Sequence, residues 1–236
     1  MTLIHLEEVG STNDWIASAA ARGEPDGLWV RADRQTAGRG RRGRAWTSDT
    51  GNLFTSTLVR PQPGEGPPQQ LSFVAALALH DMARQYVAAE RLALKWPNDL
   101  LLDGIKCAGI LVEGRDGTVV VGMGVNLSHH PAATERPATS FPAAGIATPP
   151  LAEAAECLVA AFGRRRSEWH QKGFTATRAA WLSRAANLGD VIEARLGTET
   201  LTGTFDTIDE AGALMLRLSD GSVRAIHAGE VFALAL

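Results

Sequence analysis

The stretch LALKWPNDLLLDGIKCAGILVEGRDGTVVVGMGVNLS, residues 92–128, decides the fold because it carries the clearest strand pattern in the chain. Its second half, residues 118–128, is an apolar run typical of a central strand that is buried on both faces. Gly122 and Gly124 lie in that run, where a side chain would obstruct close approach by a ligand or another backbone. The first half predicts a strand, a turn and a strand, with hairpin turn chemistry at Asp103-Gly104. Together they predict a sheet.

Helices and further strands are predicted on both sides of this stretch. Residues 11–22 open with a Ser-x-x-Asp pattern that resembles a capping box and continue with good helix formers. One helical face is predicted from the spacing of Leu71, Val74, Ala75, Ala78, Met82 and Tyr86. The other segments are predicted as strands over 27–33 and 52–59, irregular chain over 131–150, and helices over 151–169 and 177–186.

The chain changes character at Leu188, after which no helical pattern appears. Short strands separated by turn residues are predicted over 190–197, 200–209, 212–218 and 222–234. We therefore expect an α/β (α+β) fold in which a mixed sheet with flanking helices, residues 1–186, precedes a small separate β barrel, residues 187–236.

Composition limits the class of protein. The 236 residues are 45% hydrophobic and 21% charged, as in an ordinary globular chain. The sequence lacks a signal peptide and any apolar run near the roughly 18 residues of a membrane span, so we expect a soluble cytoplasmic protein. Cys107 and Cys157 lack disulfide or zinc spacing and are expected to be buried, Cys107 as an inert thiol. A net charge of −3 argues against a general attraction to nucleic acid.

Residues 36–46, TAGRGRRGRAW, place four arginines and three glycines in one stretch. The pattern suits a mobile basic loop, a nucleic-acid contact, or a loop that closes on an anion through backbone N–H groups and guanidinium forks. It is no Walker A loop, because no Gly-Lys-Ser/Thr follows, and no helical pattern follows it as a Rossmann loop requires. Its position between two predicted strands favours a built-in loop that ends at Trp46.

KWPNDL contains Lys95, and Lys106 follows six residues after its end; these are two of only three lysines in a chain that otherwise uses arginine. Pro97 predicts a turn that carries Asn98 and Asp99. A carboxylate beside lysines can hold Mg²⁺ on a nucleotide while the lysines neutralise phosphate; a structural turn with a solvated ion pair is the alternative. Asn126, at the end of the apolar strand, is suited either to bind a ligand or to cap the next turn.

Five motifs in this order resemble one family. STND (11–14), QTAGRGRRGRAW (35–46), KWPNDL (95–100), IKCAGILVE (105–113) and GMGVN (122–126) resemble the signature series of biotin protein ligases. The segment from Leu188 onward resembles that family's SH3-like C-terminal domain. The resemblance implies a mixed sheet related to class II aminoacyl-tRNA synthetases. Because the first motif begins at Ser11, no room is expected for the N-terminal DNA-binding domain of family members that double as repressors.

The activity that the resemblance implies has two steps. Biotin and ATP form biotinyl-5′-adenylate and pyrophosphate with Mg²⁺ as the metal cofactor, and a lysine of a biotin carboxyl carrier protein or carboxylase domain then takes the biotin. We expect no nucleic-acid or membrane partner. Monomer and homodimer both stay open, and no acceptor pattern Met-Lys-Met occurs in the chain itself.

The resemblance also implies roles for individual residues. Lys106, Arg39 and Arg41 match catalytic positions, with Lys106 bridging the biotin carboxylate and the α-phosphate, and Asp99 is the expected Mg²⁺ contact. The expected biotin contacts are Ser11, Thr12, Asn13, Gln35, Gly38, Arg39, Gly40, Arg41, Lys106 and Gly109. The expected ATP contacts are Arg41, Arg44, Trp46, Lys95, Asn98, Asp99 and Asn126. No adenine contact can be assigned within residues 138–150.

Three other functions are alternatives for this sequence. A lipoate ligase would share the fold and the chemistry, but its Arg-Arg-x-Ser-Gly-Gly-Gly stretch is absent. A nucleic-acid binding module would use the same arginines, yet the acidic pI and the lack of aromatic residues among them disfavour it. A biotin-binding protein without activity has no support in the motifs.

Overall fold

A seven-stranded mixed sheet forms the centre of the molecule in the computed structural model, which describes residues 2–132, 137–197 and 199–233. The strand order is β1-β2-β3-β7-β6-β5-β4, and β1 and β2 are parallel while the other pairs are antiparallel. The mixed sheet predicted from the sequence is thus confirmed. Its strands are β1 (Thr2–Val9), β2 (Leu28–Gln35), β3 (Leu53–Val59), β4 (Leu92–Lys95), β5 (Asp99–Leu102), β6 (Ile105–Arg115) and β7 (Thr118–Val125).

Strand β7 lies between β3 and β6, the central position that its apolar run predicts. Alternate side chains of a strand point to opposite faces of a sheet, so each face has its own core. Val119 and Val121 belong to a large apolar cluster on one face, while Val120 belongs to a smaller cluster on the other. Gly122 and Gly124 continue the Val120 face, which therefore loses its side chains toward the end of β7.

Within the part of the chain that the structure describes, three α-helices cover the sheet: α1 (Thr12–Ala21), α2 (Leu71–Ala83) and α3 (Leu151–Leu182). Helix α1 packs Ile16 and Ala19 on the Val120 face, and α2 and α3 pack against each other on the opposite face. Helix α3 is interrupted at Gly173, whose φ of 71° and ψ of −176° are not helical. This break corresponds to the separation between the two helices predicted there. Because α1 is short, it leaves the glycine-bearing part of its face uncovered.

A second sheet of five antiparallel strands follows, in the order β11-β10-β9-β8-β12. It packs on the first unit: the Trp96 indole donates to the Gly212 carbonyl at 3.1 Å, and a Cβ at Gly212 would lie 2.6 Å from the Phe73 ring. Phe205 and Phe73 share one apolar cluster, so the two sheets have a continuous core. The strands are β8 (Val191–Arg195), β9 (Thr200–Ile208), β10 (Leu214–Arg217), β11 (Val223–Ile226) and β12 (Glu230–Ala233).

Several local features differ from the sequence-based expectations. Strand β1 was not expected; it is a half-exposed edge strand whose charged residues hide the apolar alternation. The stretch 92–115 forms three strands, because the segment between β4 and β5 also turns the chain. Asp103 and Gly104 make the predicted hairpin turn with positive φ angles of 52° and 78°. Helix α1 begins with Ser11 at its N-cap position, as predicted, but the Ser11 hydroxyl makes no capping hydrogen bond.

The predicted strand over 222–234 is divided, since β11 ends at Ile226 and β12 begins at Glu230. Helix α2 ends at Ala83, so Tyr86 lies beyond it. Cys107 is buried as expected, whereas Cys157 is only partly buried. Within the described ranges, no helix is both long and apolar enough to cross a membrane.

Buried His80 on α2 should make stability fall in mild acid. Burial and the nearby Arg184 lower the His80 pKa to about 4, so the unfolded chain takes up a proton below its ordinary value of 6.5 while the native chain does not. The unfolding free energy should therefore decrease by about 2 kcal/mol between about pH 7 and about pH 5, as measured by urea denaturation.

The His80→Gln variant should lose most of that slope. His5, whose side chain is 49% exposed, provides the control, and His5→Gln should keep the slope of the parent protein. An unchanged slope in His80→Gln would show that another group takes up the proton.

Candidate active site

The five sequence motifs meet at one cavity of about 290 Å³ on the α1 face of the sheet. Its lining comes from the start of α1, the arginine loop (residues 36–46), the turn between β4 and β5, and strands β6 and β7. Most of the predicted site residues line it: Ser11, Thr12, Asn13, Gln35, Arg39, Gly40, Arg41, Arg44, Trp46, Asn98, Asp99, Lys106, Gly109 and Asn126. Residues that are distant in sequence are therefore brought to one place by the sheet.

Three glycines form the floor of this cavity. Gly109 of β6 is paired with Gly124 of β7, and Gly122 lies two residues earlier on the same face. A Cβ at Gly124 would be 2.7 Å from the Trp46 indole nitrogen, and one at Gly122 would be 2.1 Å from Asn13 Oδ1. A side chain at either position would collide, as predicted, but the groups that approach are the Asn13 and Trp46 side chains rather than a ligand or another backbone.

A buried polar network forms one end of the cavity. The Thr12 backbone N–H donates to Gln35 Oε1 at 2.8 Å, and the Thr12 hydroxyl lies 3.0 Å from the same oxygen. Ser56 of β3, which is fully buried, lies 2.8 Å from Thr12 Oγ1 and donates to Asn13 Oδ1 at 2.6 Å. This end offers uncharged hydrogen-bonding groups that are held in fixed positions.

The network continues to the end of the arginine loop. Gln35 Nε2 donates to Ser48 Oγ at 3.0 Å, and the Ser48 hydroxyl donates to the Trp46 carbonyl at 2.7 Å. Sequence reasoning missed both Ser48 and Ser56, because neither belongs to a pattern that predicts chemistry. Only their placement opposite predicted site residues identifies them.

The arginine loop is a closed turn. Arg39 and Ala45 form an antiparallel bridge, and the Gly40 N–H donates to the Arg44 carbonyl at 2.7 Å. At the tip, Arg42 has a φ of 57°. Gly38 belongs to the loop but does not line the cavity, and a Cβ at Gly38 would be 2.3 Å from Ser48 Oγ. Its role as a biotin contact stays a prediction.

Three cations of the site, Arg39 and Arg44 of the loop and Lys106 of β6, are paired with carboxylates. Arg39 pairs with Asp14 and Glu113, and Arg44 pairs with Glu230 of β12. Lys106 Nζ lies 2.5 Å from Asp99 Oδ1, for which no hydrogen bond of proper geometry is found, and 5.4 Å from the Trp46 ring centroid. Lys106 thus lies over the Gly109 position of the floor, whereas Asn13 of the polar network lies over Gly122.

Arg41 differs from its neighbours because its partner is a neutral amide, Asn98 Oδ1 at 3.3 Å. Burial lowers the pKa of the Arg41 guanidinium, and the nearby Arg42 lowers it further. A cation in that state gains from an incoming anion, since the anion restores the interactions lost to burial. Arg41 is therefore the loop cation best prepared for an anionic ligand.

Lys95 does not line the cavity. Its ammonium group lies 5.6 Å from the centroid of the Phe232 ring in the second sheet. Conversely, Pro131, Pro137 and Ala138 do line it, at the side where no contact could be assigned from the sequence. The Thr139 N–H donates to the Lys106 carbonyl at 2.9 Å, which holds this irregular segment beside β6.

Asn126 keeps its place in this wall through its side chain, which donates to the Thr139 carbonyl at 3.0 Å. Asp99 is the expected metal contact, but no group of three or more histidine, cysteine or acidic residues suited to a metal ion occurs in the described part of the chain. A metal held by protein groups alone does not fit this site. A metal that arrives on a triphosphate needs only one or two carboxylates, and Asp99 fits that requirement.

Comparisons with known proteins agree with this geometry. Residues 9–128 match the biotin/lipoate A/B protein ligase family, and residues 188–234 match the biotin protein ligase C terminal domain. A biotin–acetyl-CoA-carboxylase ligase of Paracoccus denitrificans is 45% identical over 239 residues, covering 96% of this chain and 98% of that relative.

Solved structures show the same architecture. The biotin protein ligase of Aquifex aeolicus in complex with biotin and ATP has a TM-score of 0.84 at 27% identity, covering 98% of this chain and 97% of the other. The biotin protein ligase of Leishmania major in complex with biotinyl-5-AMP has a TM-score of 0.68 at 25% identity, covering 96% and 99%.

Replacing Gly122 by alanine should destabilise the protein. The new Cβ would overlap Asn13 Oδ1, and Asn13 cannot move freely because Ser56 and Glu113 both bind its amide. Overlap of this kind costs about 1–3 kcal/mol of unfolding free energy, which urea denaturation measures. Gly114→Ala is the matched control, since nothing lies within 4 Å of its Cβ position. Equal stability of the two variants would contradict the close approach.

Proposed function

Because the chain belongs to the biotin/lipoate A/B protein ligase family, we propose that it attaches biotin to a carboxyl carrier protein at the expense of ATP. The observation that carries this proposal is the polarity of the cavity. Neutral hydrogen-bonding groups of Thr12, Asn13 and Gln35 line one part of the cavity. The cations Arg41 and Lys106 line another part, where they contact Asn98 and Asp99. Biotin has the same polarity, with a neutral ureido ring at one end and a carboxylate at the other.

The reaction begins with an encounter of two anions. A carboxylate oxygen of biotin forms a bond to the α-phosphorus of ATP, and the bond to the bridging oxygen breaks, so pyrophosphate leaves with that electron pair. In the second step, a lysine amine of the carrier attacks the activated carbonyl, AMP leaves, and the amine loses a proton. Two structural relatives support this order of steps, since the ligase of Aquifex aeolicus is in complex with biotin and ATP and that of Leishmania major with biotinyl-5-AMP.

Repulsion between the carboxylate and the triphosphate is the barrier that this chain's cations lower. Positive groups fixed in a partly dry cavity stabilise developing charge better than water does, because they need not reorganise. We assign this role to Lys106, whose ammonium group would lie 3.3 Å from a Cβ at Gly109 of the floor. Arg41, whose hydrogen-bond partner is the neutral amide of Asn98, is the guanidinium that we assign to phosphate.

The remaining site residues divide between the two substrates. We assign the ureido ring to Thr12, Asn13 and Gln35, whose orientations the polar network fixes. Ser11, Gly38, Gly40 and Gly109 complete the expected biotin contacts, and Arg44, Trp46, Lys95, Asn98, Asp99 and Asn126 the expected ATP contacts. Both assignments rest on the matching motifs.

Magnesium is proposed as the metal of the nucleotide. Mg²⁺ on the triphosphate would neutralise phosphate charge and leave pyrophosphate a better leaving group. Asp99 is the carboxylate that would hold it, and removing the metal with a chelator should abolish adenylate formation. The acceptor we propose is the carrier domain of a biotin-dependent carboxylase, and the compartment is the cytoplasm, where ATP and free thiols coexist.

The test of this function is ATP–pyrophosphate exchange by the purified protein with magnesium and either biotin, lipoate or no acid. We expect exchange that depends on biotin. Exchange with lipoate alone would make the protein a lipoate ligase, and exchange with neither acid would overturn the adenylation function.

Lys106→Ala should reduce biotin-dependent exchange by about 10²–10³-fold, the range for loss of one well-placed electrostatic stabiliser. The fold should remain, as judged by circular dichroism. Lys172→Ala is the matched control, because Lys172 is an exposed lysine of α3 that pairs with Glu168 away from the cavity. Unchanged exchange in Lys106→Ala would remove this lysine from the mechanism.

A further inference from the structure

Two carboxylates bind Arg39. Both lie within the matching motifs, but the resemblance implies no role for either of them. Asp14, in the first turn of α1, accepts from both terminal nitrogens of the guanidinium, at 2.6 and 2.7 Å. Glu113 of β6 accepts from Arg39 Nη2 at 3.2 and 3.3 Å. We call Asp14 and Glu113 the carboxylate clamp.

The clamp lies at the rim of the cavity. Arg39 lines the cavity, whereas Asp14 and Glu113 hold it from outside the lining. Asp14 is 61% exposed and Glu113 is 39% exposed, so water reaches both carboxylates. The hydrogen bonds to Arg39 lower the pKa of Asp14, so both partners stay charged at neutral pH. The clamp therefore supplies hydrogen-bond acceptors for the Arg39 guanidinium before a ligand binds.

We propose that Asp14 and Glu113 are positioning residues that hold Arg39 and release it to the carboxylate of the incoming ligand. This inference rests on the proposed function, since it requires that Arg39 meets an anionic ligand. Breaking the contacts of Arg39 with Asp14 and Glu113 adds a free-energy cost to biotin binding, and this cost depends on the charge of the ligand.

The ligand can replace Asp14 because the water-exposed ion pair between Asp14 and Arg39 is weak, whereas an ion pair between Arg39 and the ligand carboxylate is stronger. Ion pairs exposed to water contribute little, since solvent screens them and side chains lose freedom to form them. A ligand carboxylate inside the cavity is less hydrated, so its attraction to a guanidinium is stronger. After the exchange, Asp14 lies solvated near the ligand carboxylate and repels it. Removing the Asp14 charge should therefore favour the anionic ligand.

Glu113 has a second contact, which connects the clamp to the polar end of the cavity. It accepts from Asn13 Nδ2 at 2.6 Å, while Asn13 Oδ1 accepts from Ser56. A carboxylate can only accept, so Glu113 requires the amide nitrogen to face it. Glu113 thus fixes the orientation in which Asn13 presents its amide to the ureido ring. One residue positions both a ring contact and a carboxylate contact.

The experiment compares biotin with biotinamide, which keeps the ring system but lacks the negative charge. Dissociation constants of both are measured by calorimetry for the parent protein and for Asp14→Asn. We expect biotin to bind about two- to fivefold more tightly to Asp14→Asn, with biotinamide unchanged, in keeping with the modest strength of an exposed pair. Asp14→Glu, which keeps the charge, should restore the selectivity of the parent protein.

Asp103→Asn is the matched control. Asp103 also accepts two hydrogen bonds from an exposed arginine, Arg91, at 3.0 and 2.6 Å, but it lies in the hairpin turn outside the cavity. This variant should bind both ligands as the parent protein does.

Two variants of Glu113 separate its contacts. Glu113→Gln removes the charge but keeps an acceptor for Asn13, so it should shift selectivity toward biotin as Asp14→Asn does. Glu113→Ala also removes the acceptor, so both ligands should bind more weakly.

The outcomes distinguish the clamp from the function. If the parent protein binds biotin but the biotin-to-biotinamide ratio is unchanged in Asp14→Asn, the clamp is wrong and the function stands. Equal weakening of both ligands in Asp14→Asn would also overturn the clamp, because it would show only a structural role. If the parent protein binds neither ligand, the proposed function itself fails.

Discussion

The close approach of side chains to bare backbone on β6 and β7 is the constraint on which the site depends. Three glycines remove the side chains from one end of the α1 face, and α1 is too short to cover it. The opposite face carries a full apolar core under α2 and α3. Stability and function are thus divided between the two faces of one sheet, so the cavity costs the main core nothing.

Charge distribution follows from this arrangement. The arginine loop closes over the open face and brings several cations together, which would repel one another without acceptors. Carboxylates from α1, β5, β6 and β12 reduce this repulsion by pairing with two of the loop arginines, Arg39 and Arg44, and with Lys106 of β6. The second sheet participates through Glu230, so the two units meet at the charged end of the site. An anionic substrate then competes with internal partners, which makes binding sensitive to ligand charge.

Much of this could be anticipated from the sequence. The apolar run of β7 predicts a central strand, because few arrangements bury such a run on both faces. The order of the five motifs predicts the family, and nearly all matched residues line one cavity. Edge strand β1 was missed because its half-exposed positions carry charges. The boundary between the two units, expected between residues 186 and 187, stays a prediction.

The sequence by itself determined which chemical groups are present: glycines without side chains, a loop rich in guanidinium groups, and a lysine near a carboxylate. These follow from residue type and local spacing, which the linear order contains. The tertiary structure alone decided their partners. Ser56, Asp14 and Glu113 gain their roles from strand register and helix placement, because a hydrogen bond depends on separations in space between atoms whose residues lie up to 100 positions apart.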